Sequence, residues 1–135
     1  MNLQILFEEQ TKLLNKINLE KKRYLYEKIN WNLKSIGILG QRGLGKTTMM
    51  LQYIKENFSQ TNNALYISLD NPYMQSLSLF EFAKEFEQLG GEVLFVDEVH
   101  KYENWSTHIK NIYDALTLRV VFSGSSILQI SQQNS

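Results

Sequence analysis

The chain of 135 residues lacks cysteine, has a single proline and carries no excess charge of either sign. The absence of cysteine excludes a disulfide framework and a thiolate metal site. Lysine and arginine number 14, as do aspartate and glutamate, so the composition has no overall basic character to attract nucleic acid. No apolar run approaches the roughly 18 residues of a membrane span, and the first residues do not form a signal peptide. We therefore expect a soluble, cytoplasmic protein with no membrane partner.

What the chain does contain is typical of one globular domain. Hydrophobic residues make up 43% of it and charged residues 21%, which is ordinary globular usage. In the first part of the chain a 3.6-residue period places one set of apolar residues on a single helix face: Leu3, Leu6, Phe7, Leu14 and Ile17. A second, polar helix is predicted over about residues 19–31. We expect an N-terminal helical segment, 1–34, followed by a core, 35–135.

From Ser35 onward the pattern changes to short apolar runs that alternate with helical stretches. The runs at 36–39, 64–69, 93–96 and 118–122 are typical of strands that are buried in a parallel sheet. Three stretches between them carry apolar residues at helical spacing: Leu51, Ile54 and Phe58; then Leu79, Phe82, Ala83, Phe86 and Leu89; then Trp105, Ile109, Ile112, Tyr113 and Leu116. Ser78 and Glu81 form a capping box at the start of the second stretch. The pattern predicts an α/β fold with a parallel sheet.

A glycine-rich loop follows the first predicted strand directly. The segment from Gly40 to Thr47 reads GQRGLGKT and matches G-x-x-x-x-G-K-[ST]. Glycines let successive backbone N–H groups point around a phosphate at a helix N-terminus, Lys46 adds a positive charge, and the Thr47 hydroxyl can ligate Mg²⁺. We predict that a nucleotide is bound by Gly40, Gln41, Arg42, Gly43, Leu44, Gly45, Lys46, Thr47 and Thr48. For Arg42, contact with a phosphate and exposure to solvent remain equal alternatives.

Polar residues follow the third and fourth predicted strands, at the edge of the sheet where open α/β folds bind ligands. Asp97 and Glu98 end the third strand, so Asp97 is the candidate Mg²⁺ ligand and Glu98 the candidate base that polarises the attacking water. After the fourth strand, the hydroxyl of Ser125 or Ser126 is the candidate sensor of the γ-phosphate. The alternative for this serine cluster is a plain turn with a serine cap.

Other polar residues near these motifs have two interpretations. His100 can position Glu98 or relay a proton, or it can be structural or merely exposed. Asp70 and Tyr73 can contact a substrate or cap the helix that follows them. His108 has no partner at metal-ligand spacing, so we predict no metal beyond Mg²⁺.

In this order, the motifs resemble those of the P-loop ATPases that use a catalytic glutamate, and among them the AAA-type class. The segments 69–73, 94–101 and 122–126 are similar to those of predicted AAA-type ATPases of bacteria and archaea. The resemblance covers about residues 20–130. It implies a three-layer αβα core with strand order 2-3-4-1, in which the serine strand lies between the phosphate-loop strand and the Asp-Glu strand. It also implies that Lys46 and Thr47 contact phosphate and Mg²⁺, that Asp97 contacts Mg²⁺, and that Glu98 is the base.

The chain departs from the family that it resembles in one respect. Such proteins normally continue into arginines that can act on a neighbour's nucleotide, but no arginine follows Arg119 here. The resemblance therefore implies the N-terminal portion of a longer protein, and we expect the chain alone to bind ATP but hydrolyse it slowly. We also expect an unpaired sheet edge beside the first strand. Either self-association or the N-terminal helices, through Leu3, Leu6 and Phe7, would cover it.

The function we expect is Mg-ATP hydrolysis coupled to a partner, which can be a protein or a nucleic acid. A GTPase is disfavoured because the segment 15–18, the only one similar to its base-specificity motif, lacks the aspartate and precedes the loop. A small-molecule kinase is disfavoured because no basic lid follows the sheet. The open alternative is a nucleotide-dependent interaction module that does not hydrolyse ATP.

Overall fold

A computed structural model of the chain describes residues 3–40, 45–59 and 61–125. These residues form four strands: β1 (Ser35–Leu39), β2 (Ala64–Ser68), β3 (Val93–Asp97) and β4 (Arg119–Gly124). They also form helices α1 (Leu3–Leu14), α2 (Tyr24–Lys28), α3 (Lys46–Phe58), α4 (Pro72–Gln75), α5 (Leu79–Gln88) and α6 (Trp105–Ala115), with a 3₁₀ helix at Val99–Lys101. None of the helices in these ranges has the length and apolar character that crossing a membrane requires.

The four strands form one parallel sheet in the order β1-β4-β3-β2. Read from the other edge this is 2-3-4-1, so the predicted order is confirmed, and β4 lies between β1 and β3. The register pairs Leu39 with Gly124 and Val96 with Phe122. The carboxyl ends of β1, β3 and β4, which carry the loop, the acidic pair and the serines, therefore lie side by side.

Helices cover both faces of the sheet, which gives the predicted three layers. On one face α3 contributes a cluster that includes Met49, Met50 and Ile54 and contacts Phe95 of β3. On the other face α5 and α6 pack on alternate residues of the same strands, and Val96 of β3 belongs to this second cluster. All five residues of β3 are buried, because successive side chains enter opposite helical layers.

The N-terminal helix α1 covers the β2 edge of the sheet. Of the two alternatives for the β1 edge, cover by this helix is therefore wrong, and self-association stays a prediction. Gln10 is buried, and its side-chain amide donates to the carbonyl O of Ala64 at 3.1 Å and accepts from the N–H of Tyr66 at 2.6 Å. The amide thus takes the place of a neighbouring strand for the backbone of β2. Leu3, Leu6 and Phe7, which we expected at the β1 edge, instead pack against the cluster of α5 and α6.

The second predicted helix is much shorter than expected. Helical structure occupies only α2, and residues 19–23 are not helical. Side chains of α3 bind carbonyl groups in this segment and just before it. Gln52 Nε2 donates to the carbonyl O of Asn18 at 2.9 Å and of Lys21 at 2.7 Å, and Lys55 Nζ donates to that of Ile17 at 2.7 Å. Because these carbonyls are satisfied by α3, the segment packs in a non-helical form.

Two residues that the helical spacing placed in the core are exposed. Leu89 follows the last residue of α5 and is 68% exposed, because the helix ends there and Gly90 takes a positive φ of 101°. Tyr113 of α6 is 49% exposed, and the ammonium of Lys34 lies 4.8 Å from the centre of its ring. At the start of α5 the Ser78 hydroxyl accepts from the N–H of Glu81 at 3.2 Å, which is the Ser78 half of the predicted capping box.

Candidate functional site

The glycine-rich loop joins β1 to α3, as the sequence predicts. At its start the N–H of Gly40 donates to the carbonyl O of Gly124 at 3.3 Å. At its end Gly45 precedes α3 with a φ of 75°, a left-handed conformation that costs other residues about 1–2 kcal/mol. A Cβ on Gly45 would lie 3.0 Å from the Cδ of Arg23. Four predicted nucleotide contacts lie outside the described residues: Gln41, Arg42, Gly43 and Leu44.

Lys46 and the two threonines after it form the first turn of α3. The ammonium of Lys46 donates to the carbonyl O of Gly40 at 2.6 Å and to that of Gly124 at 3.1 Å. This places the positive charge between the ends of β1 and β4. Thr47 and Thr48 are exposed at the start of the helix, where backbone N–H groups without intrahelical partners favour an anion.

The carboxylate of Asp97 is buried and accepts four hydrogen bonds. At Oδ2 it accepts from the Thr47 hydroxyl at 2.5 Å and from the Tyr66 hydroxyl at 2.6 Å. At Oδ1 it accepts from the backbone N–H of Glu98 at 3.0 Å and from the Ser123 hydroxyl. The structure thus brings together the predicted metal ligands, Thr47 and Asp97, although they are separated by 50 positions in the chain.

Tyr66 is a site residue that our sequence analysis missed. It lies on β2, opposite Phe95 of β3, and its hydroxyl reaches across to Asp97. Burial raises the pKa of Tyr66 well above its usual value, and the charge of Asp97 and the hydrogen bond to it raise it further. The signal in the sequence was the alternation of Tyr66 and Ser68 with apolar residues in this strand, since that spacing puts both on one face.

Glu98 is connected to the end of β4 through His100. The Nε2 of His100 lies 3.1 Å from Oε2 of Glu98, and its Nδ1 accepts from the backbone N–H of Ser125 at 3.2 Å. One ring nitrogen accepts and the other faces a carboxylate, which is the pattern of an imidazole with its proton on Nε2. Of the two interpretations of His100, the geometry matches the one in which it contacts Glu98.

The residues of the serine cluster at the end of β4 contact different members of the site. Ser123 is buried and its hydroxyl is bound to Asp97, the carbonyl of Gly124 accepts from Lys46, and the N–H of Ser125 donates to His100. The candidate sensor Ser126 lies outside the described residues, and for Ser125 the contact is made by the backbone. The hydroxyl that meets the acidic pair is therefore that of Ser123, which we had not singled out.

The oxygen atoms of Thr47 and Asp97 fit Mg²⁺. They are hard hydroxyl and carboxylate ligands, which Mg²⁺ prefers, and it commonly binds through one or two carboxylates together with substrate phosphates and water. Among the described residues, no group of three or more histidine, cysteine, aspartate or glutamate residues could hold a metal ion. A metal here would thus take most of its ligands from the nucleotide and from water.

The remaining candidates lie outside this cluster. Asp70 is exposed with Lys101 Nζ at 4.0 Å, and the helix after it is capped by Asn71, whose side chain accepts from the N–H of Tyr73 at 2.8 Å. The capping role considered for Asp70 is therefore filled by its neighbour. His108 accepts from the N–H of Phe80 at 3.2 Å, in a contact within the helical layer.

The parallel sheet, with the glycine-rich loop between β1 and α3 and the acidic pair at the end of β3, defines a P-loop NTPase fold. Residues 32–135 match the AAA domain family, and the chain belongs to that family. It is 29% identical to an uncharacterized protein of Methanocaldococcus jannaschii over 139 aligned positions, which cover 89% of this chain and 29% of that protein. The chain thus spans less than a third of the length of this relative. No solved structure matches it.

Membership in the family gives the coarse class of activity. An AAA domain is a nucleotide-binding, ATPase-like domain.

Proposed function

We propose that this domain binds Mg-ATP between the phosphate loop and the acidic pair and hydrolyses it. The observation that carries the proposal is the hydrogen bond of 2.5 Å between the Thr47 hydroxyl and the buried carboxylate of Asp97. It joins the first turn of the helix after the loop to the end of β3. The residue types that nucleotide chemistry needs therefore meet at one edge of the sheet.

Binding would use the loop backbone and Lys46. Its ammonium, which donates to the carbonyls of Gly40 and Gly124, would donate to the terminal phosphates of the nucleotide. Thr47 and Asp97 would hold Mg²⁺, which neutralises phosphate charge when it is bound. The start of α3 adds backbone N–H donors and the favourable end of the helix dipole.

Hydrolysis would use Glu98 as general base. Its carboxylate takes a proton from a water molecule while the water oxygen bonds to the γ-phosphorus. The bond from that phosphorus to the oxygen bridging to the β-phosphate breaks, and ADP and phosphate are released. Glu98 suits this role because its side chain is 28% exposed, which leaves it accessible to water, whereas Asp97 is buried.

The proposal extends to the use of the nucleotide state. Ser123 and Gly124 contact Asp97 and Lys46, so the end of β4 would respond to the nucleotide and pass its state to a partner, which can be a protein, a nucleic acid or a second copy of the chain. In this proposal residues 35–135 form the core, and the helical segment 1–34 is attached to it through the β2 edge and through side chains of α3.

The test is the affinity for a labelled, non-hydrolysable ATP analogue in the presence of Mg²⁺. Lys46→Ala should reduce it at least about tenfold, since it removes a charge that meets phosphate. Lys84→Ala, which changes an exposed lysine of α5, should leave it unchanged. Both variants should unfold at the wild-type urea concentration. Equal affinity of Lys46→Ala and the wild type would place the nucleotide elsewhere.

A further inference from the structure

The contacts of His100 differ from those of an ordinary loop histidine. Its two ring nitrogens are both engaged, Nε2 with the carboxylate of Glu98 at 3.1 Å and Nδ1 with the N–H of Ser125 at 3.2 Å. Only 11% of its side chain is exposed. We propose that His100 is a positioning residue, which holds the Glu98 carboxylate in place for hydrolysis and is itself held by the end of β4. This inference rests on the proposed function.

The geometry explains how the carboxylate is oriented. A neutral imidazole has one donor and one acceptor, and here the backbone of Ser125 uses the acceptor, so the donor must face Glu98. The contact with Nε2 occupies Oε2, and we assign Oε1 to the proton of the attacking water. A neutral donor fixes the carboxylate without protonating it, which a general base requires.

The backbone around Glu98 favours the same contact. Glu98 has a φ of 58°, which is unusual for a residue other than glycine and is often found at functional sites. The 3₁₀ turn that follows is closed by the N–H of Lys101, which donates to the carbonyl O of Glu98 at 3.0 Å. This tight turn brings the side chain of His100 back beside that of Glu98.

Gly124 allows β4 to approach His100. A Cβ at this position would lie 3.0 Å from Cγ2 of Val99 and 3.4 Å from Nδ1 of His100. The residues on either side of Gly124 bind the two members of the acidic pair, Ser123 directly at Asp97 and Ser125 through His100 at Glu98. The short segment 123–125, at the end of β4, therefore contacts Asp97 directly and Glu98 through His100.

His108 provides a matched control within the same chain. Its Nδ1 also accepts a backbone N–H, that of Phe80 at 3.2 Å, and its side chain is half-buried against the ring of Tyr102. If His100 were only structural, alanine at either position should act alike, through stability. A positioning role predicts that only the change at His100 slows hydrolysis.

The experiment measures single-turnover hydrolysis and affinity for the ATP analogue. His100→Ala should lower the rate about 10- to 100-fold with the affinity unchanged, as expected when a reacting group is misplaced. His108→Ala should leave the rate within about twofold of wild type. His100→Gln, whose amide can reach the position of Nε2, should keep more activity than His100→Asn, whose shorter side chain can replace only Nδ1.

A second set of variants tests whether His100 acts through Glu98. In a Glu98→Gln background, His100→Ala should cause no further loss, because the group that it positions is absent. A wild-type rate or a faster one in His100→Ala, equal losses in His100→Ala and His108→Ala, or a further loss on Glu98→Gln would overturn the inference. Failure of the proposed function would give a different result: the wild type would bind no nucleotide, or Glu98→Gln would hydrolyse ATP at the wild-type rate. Either result would also refute the role of His100.

Discussion

Replacing Gln10 tests how α1 is fixed to the sheet. Its amide makes two hydrogen bonds to the β2 backbone, at 3.1 Å to the carbonyl O of Ala64 and at 2.6 Å from the N–H of Tyr66. Leucine has a similar volume but would leave both backbone groups without these partners. An unsatisfied buried group costs about 1–3 kcal/mol, and the added apolar burial offsets part of this. We expect Gln10→Leu to lower the free energy of unfolding by about 2–4 kcal/mol.

Gln10→Glu separates the two hydrogen bonds. At neutral pH the carboxylate still accepts from Tyr66 but faces the carbonyl O of Ala64 without a donor, so this variant should also be destabilised. Its protonated form can donate to that carbonyl, so burial beside it should raise the pKa of the new carboxyl group. The deficit relative to wild type should therefore shrink as the pH falls through that pKa.

Urea unfolding followed by circular dichroism, for the wild type and both variants across pH, is the measurement. Gln88→Leu, which changes an exposed glutamine at the end of α5, is the control and should lie within about 0.5 kcal/mol of wild type. If Gln10→Leu is as stable as this control, the amide does not fix α1 to β2 and our account of this edge is refuted.

Two further predictions concern groups with perturbed pKa values. Burial raises the pKa of Tyr66 and of Tyr26 far above 10, and the hydrogen bonds of Tyr66 to Asp97 and of Tyr26 to Glu56 raise it further. The stability that the two protonated hydroxyls contribute is therefore complete below pH 10 and is lost as the pH rises above it. Tyr66→Phe and Tyr26→Phe should each remove one high-pH step from the absorbance titration of tyrosinate, and a titration identical to wild type would contradict this. Burial alone would raise the pKa of Glu87, but its hydrogen bonds with the hydroxyl and N–H of Thr117 and the N–H of Leu118, and the charge of Lys34, lower it below 4.5. The stability that Glu87 contributes should be lost as the pH falls below 4.5. In urea unfolding, Glu87→Gln should be about 1–2 kcal/mol less stable than wild type at pH 7 and should lack this pH dependence.

The parts of the fold that depend on local pattern could be predicted from the sequence. Mostly apolar runs predicted the strands within about two residues, because strands that are covered on both faces have few polar positions. The glycine-rich loop and the Asp-Glu pair gave the edge of the sheet that carries the candidate site. The order of these motifs along the chain is enough for this prediction, because the carboxyl ends of parallel strands lie at the same edge of the sheet.

The parts that depend on contacts between distant residues could not be predicted. The position of Tyr66 beside Asp97 follows from the pairing of β2 with β3, and the burial of Gln10 follows from the packing of α1 on β2. The helix predicted over residues 19–31 is interrupted by side chains of α3, which a local pattern does not contain. In each case a tertiary hydrogen bond overrides the local preference.

The contact of His100 with Glu98 was one of two interpretations from the sequence. Their proximity along the chain suggested it, but the turn that joins them depends on the positive φ of Glu98. The second contact of the ring comes from Ser125, which directly follows β4. A histidine two positions after the acidic pair can equally face solvent, so only the fold separates the two interpretations.

Single-turnover phosphate release, measured with protein in excess over ATP, shows whether this domain hydrolyses ATP and whether Glu98 is the base. Wild-type protein should release phosphate, while Glu98→Gln should bind ATP at least as tightly and release phosphate about 10²- to 10⁴-fold more slowly, because the amide cannot accept the proton. Glu103→Gln, an exposed glutamate in the loop before α6, should behave as wild type. Equal rates for wild type and Glu98→Gln would contradict the role of Glu98, and bound ATP that stays intact in the wild type would instead support a module that binds ATP without hydrolysing it.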